Sequence, residues 1–335
     1  MSDTEALLEV FEKREQRRLD RRRLFRVGGG FAVGAAAGAV LGACSSSAGD
    51  AIAQNPPVCP VTPANIDNDI LNFALQLEYL EAQFYSFAAF GVGLPNASLT
   101  GTGTQGAVIG GRQVAFSDPL VRRYANEIAK DEIDHVNFLR SVLTSAAVAQ
   151  PAIDVGGTDP NGAFSSAARA AGLVGPGQAF DPYANDNNFL LGAFIFEDVG
   201  VTLYKGAAAL LTSKVVLEAA AGILAAEAYH AGLIRTVLSA KGVATPSLLT
   251  SADAISNARD SLDGPSDLDQ GISPTGTGNA AATNIFPSDN NGLAFSRTPG
   301  QGLNIVFLKP GVATSGGFFP AGLNGTNALF RTSGG

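Results

Sequence analysis

The sequence predicts an all-α protein, a four-helix bundle with long loop insertions and a loop-rich C-terminal extension. Three observations predict it. The only two histidines in 335 residues sit in matching segments, Glu132-Ile-Asp-His135 and Glu227-Ala-Tyr-His230, and each continues as E-x-x-H-x4-R-x-V-L through Arg140 to Leu143 or Arg235 to Leu238. Upstream of each lies a glutamate followed seven residues later by a tyrosine, Glu78 with Tyr85 and Glu197 with Tyr204. All four pairs fall in stretches whose apolar residues recur at helical spacing, separated by Gly- and Pro-rich segments. Positions three or seven apart share one face of a helix with 3.6 residues per turn, so each segment aims its pair in one direction.

Eight of the 22 Lys and Arg lie in the first 26 positions, ahead of a Gly-, Ala- and Val-rich run from Val27 to Ala43. A basic patch before a short apolar run reads as an export signal, and Arg21-Arg22-Arg23-Leu24-Phe25 suits the twin-arginine translocation machinery. The run is too short and glycine-rich for a membrane-spanning helix. Two processing sites compete. Leu41-Gly42-Ala43-Cys44 has the form of a lipobox and would leave a lipid anchor on Cys44; Ala51-Ile52-Ala53 fits ordinary cleavage and would release a chain beginning at Gln54. Residues 1–53 are therefore read as the signal, 54–65 as a Pro-rich linker, 66–250 as the bundle and 251–335 as an extension packed on it. The expected location is periplasmic or otherwise exported.

The first bundle helix is expected from Asp67 to about Phe90, with Leu71, Ala74, Leu75, Glu78, Ala82 and Tyr85 on one stripe. Residues 91–117 form a Gly-rich insertion with no helical period. Ser117-Asp118-Pro119 supplies a cap and an N1 proline for a second helix reaching about Ala147, with Glu132, His135, Leu139 and Val142 facing inward. Residues 148–185, with a short helix near Ala163 to Ala171, are long enough to cross between two helix pairs. Asn185-Asp186 caps the third helix, whose stripe holds Glu197 and Tyr204. A tight turn at Leu211 to Val215 makes the third and fourth helices an antiparallel hairpin. The fourth runs from about Ser213 to Ala240 and is ended by Gly242. A shorter helix is expected near Ala252 to Leu262. The tail, 264–335, is Gly-, Asn-, Thr- and Pro-rich with a short helix behind Thr298-Pro299; Phe295, Phe307, Phe318 and Phe319 are too many aromatics for a disordered segment.

Two helices supplying one Glu each and two supplying Glu-x-x-His describe a carboxylate-bridged two-metal site. Glutamate is scarce after the leader, so both histidines would acquire a Glu three residues earlier by accident on the order of one time in a thousand. Inward carboxylates without cations are costly to bury. Oxygen donors with one imidazole per metal suit two Fe or Mn ions. The symmetry assigns Glu78 and His135 to one metal and Glu197 and His230 to the other, with Glu132 and Glu227 bridging, so that four carboxylates balance two divalent cations. Glu81, one turn from Glu78, is the rival ligand on the first helix; Glu78 is preferred because its spacing to Tyr85 repeats in Glu197 and Tyr204. Tyr85 and Tyr204 are candidates to hydrogen-bond the cluster or relay an electron, the alternative being plain core tyrosines. A net charge of -8 argues against nucleic acid as a partner. Two cysteines, Cys44 and Cys59, exclude a disulfide framework.

The E-x6-Y and E-x-x-H duplication across residues 66–240 resembles the ferritin-like superfamily, which includes bacterioferritins, rubrerythrins and manganese catalases. In bacterioferritin-like sites an Asp often precedes the Glu of E-x-x-H and orients the His of the opposite helix. Asp131 keeps that pattern and Ala226 breaks it, which implies a partner for His230 and none of this kind for His135. A narrower resemblance is carried by Leu77-Glu-Tyr-Leu-Glu81-Ala-Gln-Phe-Tyr85, Asn291-Gly-Leu-Ala-Phe295-Ser-Arg297-Thr-Pro299 and Gly316-Gly-Phe-Phe-Pro320. These are similar to the desiccation-related ferritin-like proteins of plants and bacteria. Together with the donor set and the leader, this leads to the expectation of an exported di-metal oxidoreductase, ferroxidase-like or catalase-like, acting on Fe(II), dioxygen or peroxide in protection against desiccation and oxidative stress. The alternative is a non-catalytic desiccation or envelope structural protein that keeps the metal as a clamp. Iron storage in a hollow shell ranks lower, because the insertions would obstruct a cage. The expected partners are small oxygen species or metal ions, and assembly as a homo-oligomer stays open.

Overall fold

The computed structural model describes residues 66–334, so the export signal, the lipobox at Cys44 and the linker lie outside the described residues. Seven α-helices occur among the described residues: α1 (Ile66–Phe90), α2 (Pro119–Leu143), α3 (Ala163–Ala170), α4 (Asp186–Ala208), α5 (Lys214–Ala244), α6 (Ser247–Asp260) and α7 (Pro299–Phe307). None is long and apolar enough to cross a membrane. The long helices begin where side chains satisfy free backbone donors: Asp118 accepts from Leu120 N, Asn185 from Asn188 N and Ser213 from Val216 N. At α7, Thr298 and Gln301 form a capping box ahead of Pro299.

The bundle consists of two antiparallel pairs. Asn72, near the start of α1, donates to Ala146 O beyond the end of α2 (3.0 Å), while Val114 N, ahead of α2, donates to Ala88 O near the end of α1 (2.9 Å). Helices α4 and α5 form the second pair across the short turn at 209–213. The pairs then meet with α1 against α4 and α2 against α5, and the segment carrying α3 crosses between them. Helix α3 packs on α6.

Four details differ from the sequence expectation. Gly242 does not end the fourth helix, which continues to Ala244. A Cβ at Gly242 would stand 2.4 Å from Leu249 Cδ2, so this glycine lets α6 pack closely. Helix α2 stops at Leu143, because Thr144 turns to φ 51°. Val142 is 45% exposed, and the inward positions at that end are Leu139 and Leu143, four apart on one face. Finally, the insertion and the crossover segment, both expected as loops, pair in parallel through β1 (Val108–Ile109) and β2 (Ile153–Asp154).

The arginine of each repeat ties an irregular segment to the bundle. Arg140 donates to Tyr79 Oη (2.5 Å) and Thr100 O (2.6 Å), fastening the 91–117 insertion. Arg235 donates to Asp198 Oδ2 (2.8 Å) and to the carbonyls of Gln270, Gly271 and Asn284, fastening the tail. Tyr79 follows Glu78 as Asp198 follows Glu197, so the two arginines meet equivalent positions of α1 and α4. On the tail side the contact grows into a buried network. Arg259 of α6 bridges Asp198 (2.9 Å) and Asp269 (2.5 Å), and Arg297 bridges Asp269 (2.7 Å) and Asp263 (2.6 Å). Three arginines face three aspartates, which is the charge balance burial requires.

Candidate metal centre

The antiparallel packing decides where the repeated residues meet. Because α1 and α4 run in opposite directions, Tyr85 donates to Glu197 Oε1 and Tyr204 donates to Glu78 Oε1. Each tyrosine thus holds the glutamate of the other repeat. Helices α2 and α5 cross in the same way: His135 Nδ1 lies 3.1 Å from Glu78 Oε2, 3.5 Å from Glu132 Oε2 and 3.6 Å from Glu227 Oε1. His230 Nδ1 lies 3.0 Å from Glu132 Oε1 and 3.7 Å from Glu197 Oε2. The two imidazoles face the same space, their centroids 6.2 Å apart.

All six residues expected as ligands therefore converge. Their donor atoms fall into two groups within metal-binding reach, Glu78, Glu132, His135 and Glu227 in one and Glu197, Glu227 and His230 in the other. Glu227 belongs to both, and the carboxylate of Glu132 turns one oxygen toward each histidine. Both oxygens of Glu132, both of Glu227, Glu197 Oε2 and His230 Nδ1 are buried without a hydrogen-bond partner. Buried polar atoms normally find one, so a cluster of unpaired acceptors aimed at one point fits a cation. Asp131 Oδ2 stands 3.6 Å from His230 Nε2, the side the bacterioferritin-like pattern implies.

The ferritin-like domain family matches residues 66–240, which is the span of the four bundle helices. The chain is a ferritin-like protein. A desiccation-related protein of Craterostigma plantagineum is 33% identical over 245 residues, covering 70% of this chain and 75% of that protein. A ferritin-like catalase of Nesocodon mauritianus is 28% identical over 274 residues, covering 77% of this chain and 84% of that one. No solved structure matches significantly.

The electrostatics of this ferritin-like centre are those of acids crowded out of water. Burial raises Glu78 to about 7 and Glu197 to about 8, against an ordinary 4.5, with the neighbouring Glu132 adding to both. Burial also holds Glu81 and Glu227 well above the usual range. Glu132 is the exception: burial raises it, but the two flanking imidazoles outweigh that and leave it below an ordinary carboxylate. Burial lowers both histidines, and the surrounding acids more than reverse this, chiefly Glu78 and Glu132 for His135, about 12, and Asp131 and Glu132 for His230, about 10.

One position breaks the repeat. Glu81 follows Glu78 by three residues, and the residue three after Glu197 is Gly200. A Cβ at Gly200 would lie 2.7 Å from Glu227 Oε2 and 3.7 Å from Glu81 Oε1, so the glycine leaves room for two carboxylates. Glu81 is buried beside the centre but belongs to neither ligand group. Setting the two repeats side by side would have exposed the Glu81 and Gly200 pair in the sequence. Gly200→Ala is a test of this space. Alanine is favoured over glycine inside a helix by about 1 kcal/mol, yet here it should displace Glu227. Metal affinity, measured by calorimetry, is expected to fall roughly tenfold or more, as for other changes that reorient a ligand.

Proposed function

We propose that this ferritin-like protein is an exported di-metal carboxylate protein, holding two Fe or Mn ions, whose chemistry is oxidation and reduction of Fe(II), dioxygen or peroxide in stress protection. The observation that carries the reading is the pair of overlapping donor groups sharing Glu227, with buried acceptors left unpaired around it. Glu78 and His135 would hold one ion, Glu197 and His230 the other, with Glu132 and Glu227 between them. Hard oxygen donors with one imidazole nitrogen on each side suit Fe or Mn. When bound, such ions supply reversible electron transfer to and from small oxygen species. The protein's own part is preorganisation: Tyr85 and Tyr204 fix the rotamers of Glu197 and Glu78, Asp131 steadies His230, and burial keeps bulk water out. The similarity to a ferritin-like catalase supports the peroxide branch.

The test is metal content of protein taken from native cells, followed by peroxide disproportionation and Fe(II) oxidation assays. A bound metal with turnover in either assay is the expected result. A metal that raises the melting temperature with no turnover in either would instead establish the structural-clamp alternative, which the similarity to a desiccation-related protein supports.

Proton linkage gives a second expectation. Carboxyls such as Glu78 and Glu197 have folded values near 7 and 8 against an ordinary 4.5, so between these limits the folded metal-free protein binds more protons than the unfolded chain. Its stability must then fall as pH rises through that window. The histidines act in the same sense at higher pH: their contribution is complete below 6.5 and is lost as pH rises toward 10 to 12. Scanning calorimetry of the metal-free protein should show a melting temperature that declines from about pH 5 to pH 8, whereas the metal, by displacing protons, should stabilise more at pH 8 than at pH 5.

A further inference from the structure

Tyr85 and Tyr204 occupy equivalent places in the two repeats, yet their surroundings differ. The Tyr85 ring is fully buried, 5.0 Å from Phe84 and 5.8 Å from Phe189, in an aromatic cluster that continues through Phe164 and Phe196. Tyr204 is only partly buried and stands among mostly aliphatic side chains, with Phe73 in the same outer cavity. The repeat explains the contrast: Phe84 and Phe196, six after and one before their glutamates, correspond to Leu203 and Leu77.

Two cavities of about 30 Å³ each adjoin Tyr204. The inner one is walled by Glu78, Glu81 and Gly200 on the side of the centre and stops against Phe196 and Phe318. The outer one is walled by Ile70, Ala74, Ala207, Leu211 and Ala220, at the end of the bundle where α4 turns into α5. Leu77, Leu203 and Tyr204 line both, so a single layer of side chains separates them. Apart from the Tyr204 hydroxyl, which is engaged by Glu78, the outer chamber presents only hydrocarbon.

We infer that these chambers form a one-sided apolar passage that carries dioxygen between the bundle end and the metal centre past Tyr204. Each chamber is about twice the roughly 10–15 Å³ that a single water needs, and dry apolar cavities take up inert gases. Peroxide would have to shed its hydration against a wall that offers no hydrogen bonds, at a cost dioxygen does not incur. Side-chain rotation of Leu77 and Leu203 on the nanosecond scale connects the chambers. The assignment of dioxygen rests on the oxygen chemistry proposed above, where it is either oxidant or product; the passage itself rests on the cavities.

The experiment separates the two. Crystals of the metal-loaded mature protein, briefly pressurised with xenon, are expected to show xenon in both chambers. Leu77→Phe, which installs the residue the repeat already carries at Phe196, is expected to close the shared layer and slow filling of the inner chamber. Ala74→Phe, a second variant remote from the ligands, should exclude xenon from the outer chamber and slow the inner one likewise. In Fe(II) oxidation at limiting dioxygen both variants should raise the apparent KM for dioxygen about tenfold with kcat unchanged. Xenon in neither chamber of the wild type, or inner-chamber filling as fast in both variants as in the wild type, overturns the passage. Xenon in both chambers with no dioxygen consumed or evolved by the wild-type protein keeps the passage and overturns dioxygen as its cargo, along with the redox reading.

Discussion

Replacing Glu132 and Glu227 together by alanine is expected to abolish tight metal binding while leaving the protein folded. These two side chains are the ones that reach across: Glu227 belongs to both donor groups, and Glu132 turns one oxygen to each histidine. Losing an indirect partner of a ligand costs about 10- to 100-fold in affinity, and losing the shared ligands themselves should exceed that at both positions. Charge reinforces the effect, since Glu78 and Glu197 alone would leave the proposed pair of divalent cations half neutralised in a buried site. The outcome can be told apart from unfolding. Burial and neighbouring acids raise Glu227, so its removal relieves the metal-free protein, whereas Glu132 is held ionised by the two imidazoles and its removal costs stability. Circular dichroism should show the metal-free double variant folded, and elemental analysis should find it without bound metal. Full metal content in the double variant, or unchanged turnover, would remove the centre from this protein.

Arg297→Ala is expected to be the most destabilising single substitution in the tail. Arg297 is 1% exposed and donates to Asp263, Asp269 and Thr202. Truncating it leaves Asp263 buried without its cation and Asp269 with Arg259 alone, a loss of roughly 3–5 kcal/mol for a broken buried pair. At this chain size that corresponds to a fall in melting temperature on the order of 10 °C, readable by differential scanning calorimetry. Replacing Arg297 and Asp263 together with apolar residues of similar volume should recover most of it, because the cost lies in the orphaned charge and Asp269 keeps Arg259. Asp198 connects this network to the centre: it holds Arg235 and Arg259 and follows Glu197 directly on α4. Loosening of the tail should therefore also weaken metal retention.

The sequence carried the centre further than most of the fold. Scarcity made the two histidines informative, and the Glu-x-x-His spacing placed each pair on one helix face before any tertiary contact was known. The preference for Glu78 over Glu81 came from the same periodicity, and the structure sets Glu78 in a donor group and Glu81 outside both. Where the reading went astray, the deciding contact came from far along the chain. Gly242 looks like a helix stop until Leu249 is seen packed on it. Val142 has helical spacing to His135, but at that end of the helix Leu139 and Leu143 are buried and Val142 is exposed.

By itself, then, the order of residues determined the four helices, their caps and the six side chains that share their inward faces, because helical geometry links neighbours within a few positions. Only the tertiary structure decided that Tyr85 serves Glu197 and Tyr204 serves Glu78, that Gly200 makes room opposite Glu81, and that Arg235 and Arg297 lock the tail to α4. Those outcomes depend on two helix pairs meeting antiparallel across a long connection, and no local periodicity encodes which distant surface a side chain will face.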